Sequence, residues 1–121
     1  MSDVLTEEII GAAIEVHKIL GSGLLESVYE EALLHELTLR GIPAERQVKV
    51  DVLYKGHIIK GQRIDILVAG EVIVELKAIR ELPDVATAQT LSYLKATSLT
   101  RALLINFGQG RLIDGVKRFS L

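Results

Sequence analysis

The fold is most legible in Ile64-Asp65-Ile66-Leu67-Val68-Ala69-Gly70-Glu71-Val72-Ile73-Val74-Glu75-Leu76-Lys77-Ala78-Ile79. Two apolar runs of strand length flank Ala69-Gly70-Glu71, a short connection that suits a β-hairpin. Their apolar density predicts central strands around Gln62 to Val68 and Val72 to Ile79. Each run nevertheless carries charge: Asp65 in the first, Glu75 and Lys77 in the second. A charged group inside an apolar run is costly unless it is paired or bound to metal. The two-residue period of a strand puts Glu75 and Lys77 on one face. Alone, Asp65 also reads as a solvated hairpin carboxylate, and Glu75 with Lys77 as an ordinary ion pair. Taken together, the intruders let two carboxylates and a lysine converge. Such oxygen ligands suit Mg²⁺ or Mn²⁺, hard cations that keep several waters and take further ligands from substrate phosphates. The lysine would polarise or deprotonate an attacking water.

Outward from this hairpin the periods change. Before it, Val48, Val50, Val52 and Tyr54 alternate with Lys49, Asp51, Leu53 and Lys55, a half-buried strand from Gln47 that Gly56 allows to turn. Leu5, Ile9, Ala12, Ala13, Val16, Ile19 and Leu20 recur at three- and four-residue spacing, predicting an amphipathic helix from about Asp3 to Leu20, ended by Gly21 and Gly23. A second helix from about Leu24 to Arg40 buries Leu25, Val28, Tyr29, Ala32, Leu33 and Leu37 and stops at Gly41 and Pro43. Its Glu26 and Glu30 share a face. After the hairpin, Pro83 fits the first turn of a helix that runs to about Thr97, with Asp84 near its positive end. Gln89 and Tyr93 share a face of that helix, which alone reads as a solvated pair. Arg101 to Phe107 reads as a buried strand, and Leu112 to Phe119 as a short edge strand. The order is α, α, β, β, β, α, β, β, with no repeat or linker, so residues 1–121 read as a single domain.

Composition bounds the function. The chain has 121 residues, 49% of them apolar and 4% aromatic, and a chain this long buries about two-thirds of the surface its unfolded form exposes. It has no cysteine, which removes catalytic thiols, zinc ribbons, iron–sulfur clusters and disulfide frameworks together. No apolar run approaches the roughly 20 residues that span a bilayer, and the acidic start Met1-Ser2-Asp3 lacks the basic region of a secretory signal. The expectation is a soluble, cytoplasmic protein without membrane partners. The net charge of −2 hides a division, because residues 1–45 carry −7 and residues 46–121 carry +5. Such asymmetry is a prompt to look for a polyanion-binding side.

Asp65, then Glu75-Leu76-Lys77, then Gln89-Thr90-Leu91-Ser92-Tyr93 resembles the D…ExK…QxxxY series of the PD-(D/E)xK nuclease superfamily, in particular its RecB-like branch. Gly23-Leu24-Leu25-Glu26-Ser27-Val28-Tyr29 matches the motif that names the GxxExxY family, small proteins placed in that superfamily. The resemblance runs from about His17 to Arg118. It implies an α/β, restriction-endonuclease-like αβββαβ core with a central mixed sheet flanked by helices, here with an extra N-terminal helix. It further implies that Asp65 and Glu75 are metal ligands, with the Leu76 carbonyl as a further oxygen. Lys77 would activate water, and Glu26 would be the helical acid that completes the metal site, often through water. Gln89 and Tyr93 would position substrate or support the site. Glu30 reads more readily as a solvated carboxylate and is a reserve for the site. His17 reads more readily as a partly buried structural histidine, although a helical histidine contributes a ligand in some RecB-like nucleases. Ile64 stands where the superfamily has a proline, and the iron–sulfur subset is excluded.

The leading expectation is a Mg²⁺- or Mn²⁺-dependent nuclease hydrolysing DNA phosphodiesters, with catalytic residues Glu26, Asp65, Glu75 and Lys77. The alternatives are a catalytically inactive module of the same fold binding a protein or nucleic-acid partner, and a metal-dependent hydrolase of another phosphate ester. A chain close to the bare core of that fold has little left for reading sequence, so its DNA contacts would be salt-sensitive and sequence-independent. A homodimer would add grip.

Overall fold

The computed structural model describes residues 3–121; Met1 and Ser2 of the acidic start lie outside them. Helices α1 (Val4–Leu20) and α2 (Glu26–Leu39) precede strands β1 (Ala44–Tyr54), β2 (His57–Val68) and β3 (Val72–Lys77). Helix α3 (Asp84–Thr97) then leads to β4 (Arg101–Asn106), a 3-10 turn (Leu112–Gly115) and β5 (Val116–Ser120). The strands form one sheet in chain order, antiparallel at every junction except β3–β4. That pair is parallel because α3 carries the chain back between them. From α2 to β4 this is the αβββαβ order, with α1 as the extra helix and β5 added at the edge.

Local chemistry sets the boundaries. Asp3 caps α1, its Oδ1 accepting the Thr6 N–H at 2.8 Å, which satisfies one of the free donors of the first turn. Gly21, at φ 70°, closes the other end by donating to the His17 carbonyl. The β2–β3 turn places Ala69 and Gly70 at φ 54° and 68°, the backbone of a type I′ hairpin, and Glu71 N–H closes it on the Val68 carbonyl at 2.9 Å.

The sheet is covered on both faces. On one, Ile66, Val68, Val74, Leu76, Leu103 and Ile105 pack with Ile9 and Ala13 of α1 and with Tyr29, Leu33 and Leu37 of α2. On the other, Val50, Ile64, Ile73 and Ala102 pack with Tyr93 and Leu94 of α3. Each fully buried aliphatic side chain here contributes roughly 1.5–3 kcal/mol. Among the described residues no helix is long and apolar enough to cross a membrane.

Several expectations shift. Leu25 and Val28 are exposed rather than buried, because the start of α2 stands clear of the sheet and only from Tyr29 onward is its inner face covered. The β1–β2 hairpin is longer than the apolar pattern suggests, β2 beginning at His57 rather than Gln62. The half-buried pattern of β1 stops at Val50, beyond which Val52, Leu53 and Tyr54 are exposed. The C-terminal segment begins as a 3-10 turn, with Leu112 buried, before the edge strand starts at Val116.

The hairpin turn gives a direct test of the backbone account. Ala69 occupies a left-handed conformation that costs an L-residue roughly 1 kcal/mol. Replacing it by Asn yields the favoured Asn-Gly pair of a type I′ turn. Ala69→Asn should raise stability by about 0.5–1 kcal/mol in urea unfolding, and a variant less stable than wild type would contradict the turn assignment.

Candidate active site

The site is built where the sheet loses its regular alternation. Ile66 and Val68 face α1 and α2, yet Ile64, only two residues earlier, faces α3 beside Leu67. Strand β1 changes face in the same place: Ala44 packs with the α1/α2 cluster, Val48 and Val50 with the α3 cluster. In the β1–β2 register Arg46 pairs with Ile66 and Val48 with Ile64, while Gln47 and Asp65 between them drop out of the ladder. Gln47 there adopts φ 52°. A local break of this kind re-aims side chains and bends the strand, and the side chain re-aimed here is Asp65.

The β2–β3 ladder stops at the same level, its last pair being Ile66 with Val74. Beyond it carboxylates replace carbonyls: Asp65 N–H donates to Glu75 Oε2 at 3.1 Å, and Leu76 N–H donates to Asp65 Oδ2 at 2.8 Å. Each acid thus caps a backbone donor that the splayed strands leave over. Glu75 is 4% exposed. Burial, reinforced by the neighbouring Asp65 charge, pushes its carboxyl up from an ordinary 4.5 to about 9. The Glu75 carboxyl, buried beside the half-buried Asp65, thus favours its protonated form when no cation is near.

Lys77 follows Glu75 by one strand period, on the face that Ile73 shows to α3. The backbone around it is fixed from β4. Phe107 N–H donates to the Lys77 carbonyl at 2.8 Å. Fully buried Asn106 accepts from Ile79 N–H at 3.1 Å, donates to the Ile79 carbonyl at 2.8 Å and accepts from Gly108 N–H at 3.0 Å. A Cβ on Gly108 would lie 2.0 Å from the Ile79 carbonyl oxygen, so only glycine permits this approach. Capture of Ile79 ends β3 at Lys77, two residues before the apolar pattern does.

From α3, Gln89 Nε2 donates to the Tyr93 hydroxyl at 3.1 Å, and that hydroxyl donates to Gln62 Oε1 of β2 at 3.0 Å. Burial raises the Tyr93 pKa, with Glu75 and then Asp65 contributing repulsion, so the phenol lies within electrostatic reach of both acids. The helix pair is therefore part of a chain that reaches the site.

From α2, Glu26 stands at the rim. Its residue is exposed, yet partial desolvation of the carboxyl raises its pKa, the Asp65 charge adding to the shift and the Lys77 ammonium opposing it. Tyr29, three residues on, explains the spacing of the motif. Its buried hydroxyl donates to the Gly21 carbonyl and accepts from Leu24 N–H at 3.2 Å. Its ring stacks on Phe107, centroids 4.5 Å apart. Gly23 sits at φ 102° within the turn thus pinned. The glycine, the acid and the tyrosine are one device that fixes where α2 begins and so where Glu26 stands.

Glu30 is not solvated. It is buried, receiving Arg46 Nη2 at 2.7 Å and Gln47 Nε2 at 2.7 Å, and it ties α2 to the kinked turn of β1. His17 is half-buried, its Nε2 3.0 Å from the Gln109 carbonyl, in keeping with the structural reading. Sequence reasoning missed Gln62, Asn106, Arg46 and the Tyr29 hydroxyl. Asn106, a polar residue in an apolar strand, carried the same signal as Asp65.

Asp65 and Glu75 offer the hard oxygen donors that a divalent cation takes, and the displaceable proton of Glu75 marks the charge such an ion would supply. Among the described residues no group of three His, Cys, Asp or Glu side chains is gathered as a ready metal cluster.

The family model of the PD-(D/E)XK nuclease superfamily matches residues 3–119. Among solved structures, the crystal structure of SSO0001 is similar, at 18% sequence identity and a TM-score of 0.51, covering 99% of this chain and 79% of that one. At that identity the likeness speaks to the fold alone. No curated protein matches the chain.

Two measurements follow from the geometry. Tyr29→Phe removes both hydroxyl contacts from the glycine turn while keeping the stack, and should cost about 1–2 kcal/mol in urea unfolding; an unchanged midpoint would contradict the pinning role. Glu75 holds its proton in the native state up to about pH 9 but loses it near 4.5 when unfolded. Between those values the native state binds more protons, so its stability falls as pH rises, on the order of 1 kcal/mol per pH unit. Urea midpoints of the metal-free protein should decline from pH 5 to 9 in wild type and stay level in Glu75→Gln. Parallel slopes would refute the burial of an ionisable group there.

Proposed function

Because the chain belongs to the PD-(D/E)XK nuclease superfamily, we propose that it hydrolyses DNA phosphodiesters with Mg²⁺ or Mn²⁺ held by Asp65 and Glu75. The observation that carries this reading is the exchange of bonds at the β2–β3 break, which sets the buried Glu75 carboxyl beside the half-buried Asp65, with Lys77 one strand period from Glu75. When bound, the ion supplies charge neutralisation for the phosphate and acidifies a coordinated water.

The chain's own groups do the rest. Asp65 and Glu75 are held by backbone donors, so they keep their positions without side-chain reorganisation. Lys77 Nζ brings positive charge to the phosphate oxygens and exchanges a proton with water beside Glu75. Glu26 takes part from the rim through water. The Gln89–Tyr93–Gln62 chain orients the substrate strand against this centre, Tyr93 offering a hydroxyl whose neighbours on both sides are fixed. The pinned turn from Gly23 to Tyr29 supports the finer placing of the chain in the GxxExxY branch. The reading further holds that residues 1–121 act as a single cytoplasmic domain with sequence-independent DNA contacts.

Cleavage of single- and double-stranded DNA with Mg²⁺ or Mn²⁺ tests the reaction. Glu75→Ala and Lys77→Ala should each lose roughly 100-fold or more of the wild-type rate; equal residual cleavage by all three proteins would sink the nuclease reading. Calorimetry tests the ion separately. Wild type should bind Mn²⁺ saturably and Asp65→Ala should not, whereas no saturable binding even with DNA present would favour a non-catalytic module.

A further inference from the structure

Beyond the Gln47/Asp65 break the β1–β2 hairpin leaves the sheet as an arm. Its inner face is anchored on α3 through Val50 and Ile64. The next register pair, Lys49 opposite Arg63, lies one residue off on each strand and so points away from α3. Both are exposed. Like charges directly opposite across two strands destabilise the pair, so this arrangement works against the fold that carries it.

The charge inventory of the arm repeats the point. Residues 46–64 contain Arg46, Lys49, Lys55, Lys60 and Arg63 against a single acid, Asp51, in a chain whose net charge is −2. Glu30 neutralises Arg46, and Asp51 pairs with Lys60. Lys49, Lys55 and Arg63 have no acidic partner among the described residues. Lys55 instead lies over the exposed ring of Tyr54 at the tip, 5.5 Å from its centroid. Basic side chains interleaved with an exposed aromatic are what a phosphate backbone with accessible bases recognises.

The arm is continuous with the site. Arg63 stands between Gln62, which receives the Tyr93 hydroxyl, and the Ile64-Asp65 step at which the strand kinks. We infer that the β1–β2 arm is the nucleic-acid grip of this protein, with Lys49 and Arg63, and Lys55 farther out at the tip, contacting phosphates along a strand whose scissile bond lies at Asp65 and Glu75. The inference rests on the nuclease reading for the nature of the polyanion, and on the arm's own charge for its place.

Fluorescence anisotropy with a labelled single-stranded oligonucleotide, in EDTA and again with Ca²⁺, across a salt series, tests it. Each phosphate contact on a single strand contributes about −0.7 to the slope of log K against log salt. The combined variant Lys49→Gln, Lys55→Gln, Arg63→Gln should therefore flatten the slope by about 2 and weaken low-salt binding roughly tenfold or more. Lys117→Gln, on β5 at the far edge of the sheet, should leave both unchanged. Lys49→Gln alone should melt at or above the wild-type temperature while binding more weakly, a combination that a purely structural lysine would not give. If wild type binds and the combined variant binds equally, the grip is overturned while the nuclease reading stands on its cleavage assay. If the combined variant instead converts a dimer to a monomer in light scattering with DNA binding unchanged, the arm joins a second copy and the inference fails. If wild type neither binds nor cleaves nucleic acid, both readings fall together.

Discussion

Two backbone N–H groups that an unbroken sheet would give to carbonyls go to carboxylates instead, Asp65 N–H to Glu75 and Leu76 N–H to Asp65. Most of what is particular to this molecule depends on that exchange. It lets β2 part from β3 without stranding backbone donors, which in a buried place would each cost about 1–3 kcal/mol. It fixes both acids by their own main-chain neighbours. By releasing β2 from the sheet, it also allows the β1–β2 hairpin to turn toward α3 and extend past the core. The same substitution thus makes the site and the arm beside it.

The surroundings keep the exchange rigid from three directions. Glu30 holds Arg46 and Gln47 on the opposite strand of the break, and a buried carboxylate with charged and amide partners is a strong tie. Tyr29 pins the glycine turn and, through its stack on Phe107, joins the start of α2 to the end of β4. Asn106 holds Ile79 just beyond Lys77. None of these three contacts the proposed chemistry, yet each fixes an element that does. A site that needs acids and a lysine held within a fraction of an ångström needs such support.

The parts of this arrangement visible in the sequence are those with a local signal. Asp65, Glu75 and Lys77 stand out because charge is foreign to an apolar strand, and Gln89 with Tyr93 because a helix pairs residues four apart. The kink was hidden. A strict two-residue period carried through Asp65 puts Ile64 and Ile66 on one face, and a glutamine in a left-handed conformation at Gln47 has no compositional marker. Glu30 looked solvated because its partners come from β1, sixteen and seventeen residues away in sequence. The arm was hidden for a different reason: the apolar pattern starts the second strand only at Gln62 and so omits His57 to Gly61, and Val52, which the alternation puts on the inner face, is exposed. Alternation alone does not decide burial, which depends on what packs above the strand.

On the nuclease reading, the bond exchange at the break creates a two-carboxylate seat for a divalent cation. Anomalous diffraction from a crystal soaked in Mn²⁺ addresses it most directly. A single strong peak in contact with the Asp65 and Glu75 carboxylates, absent from Asp65→Ala crystals, is the expected result. Wild-type crystals with no anomalous density there, and with the Asp65 and Glu75 carboxylates still bonded only to the backbone, would contradict it.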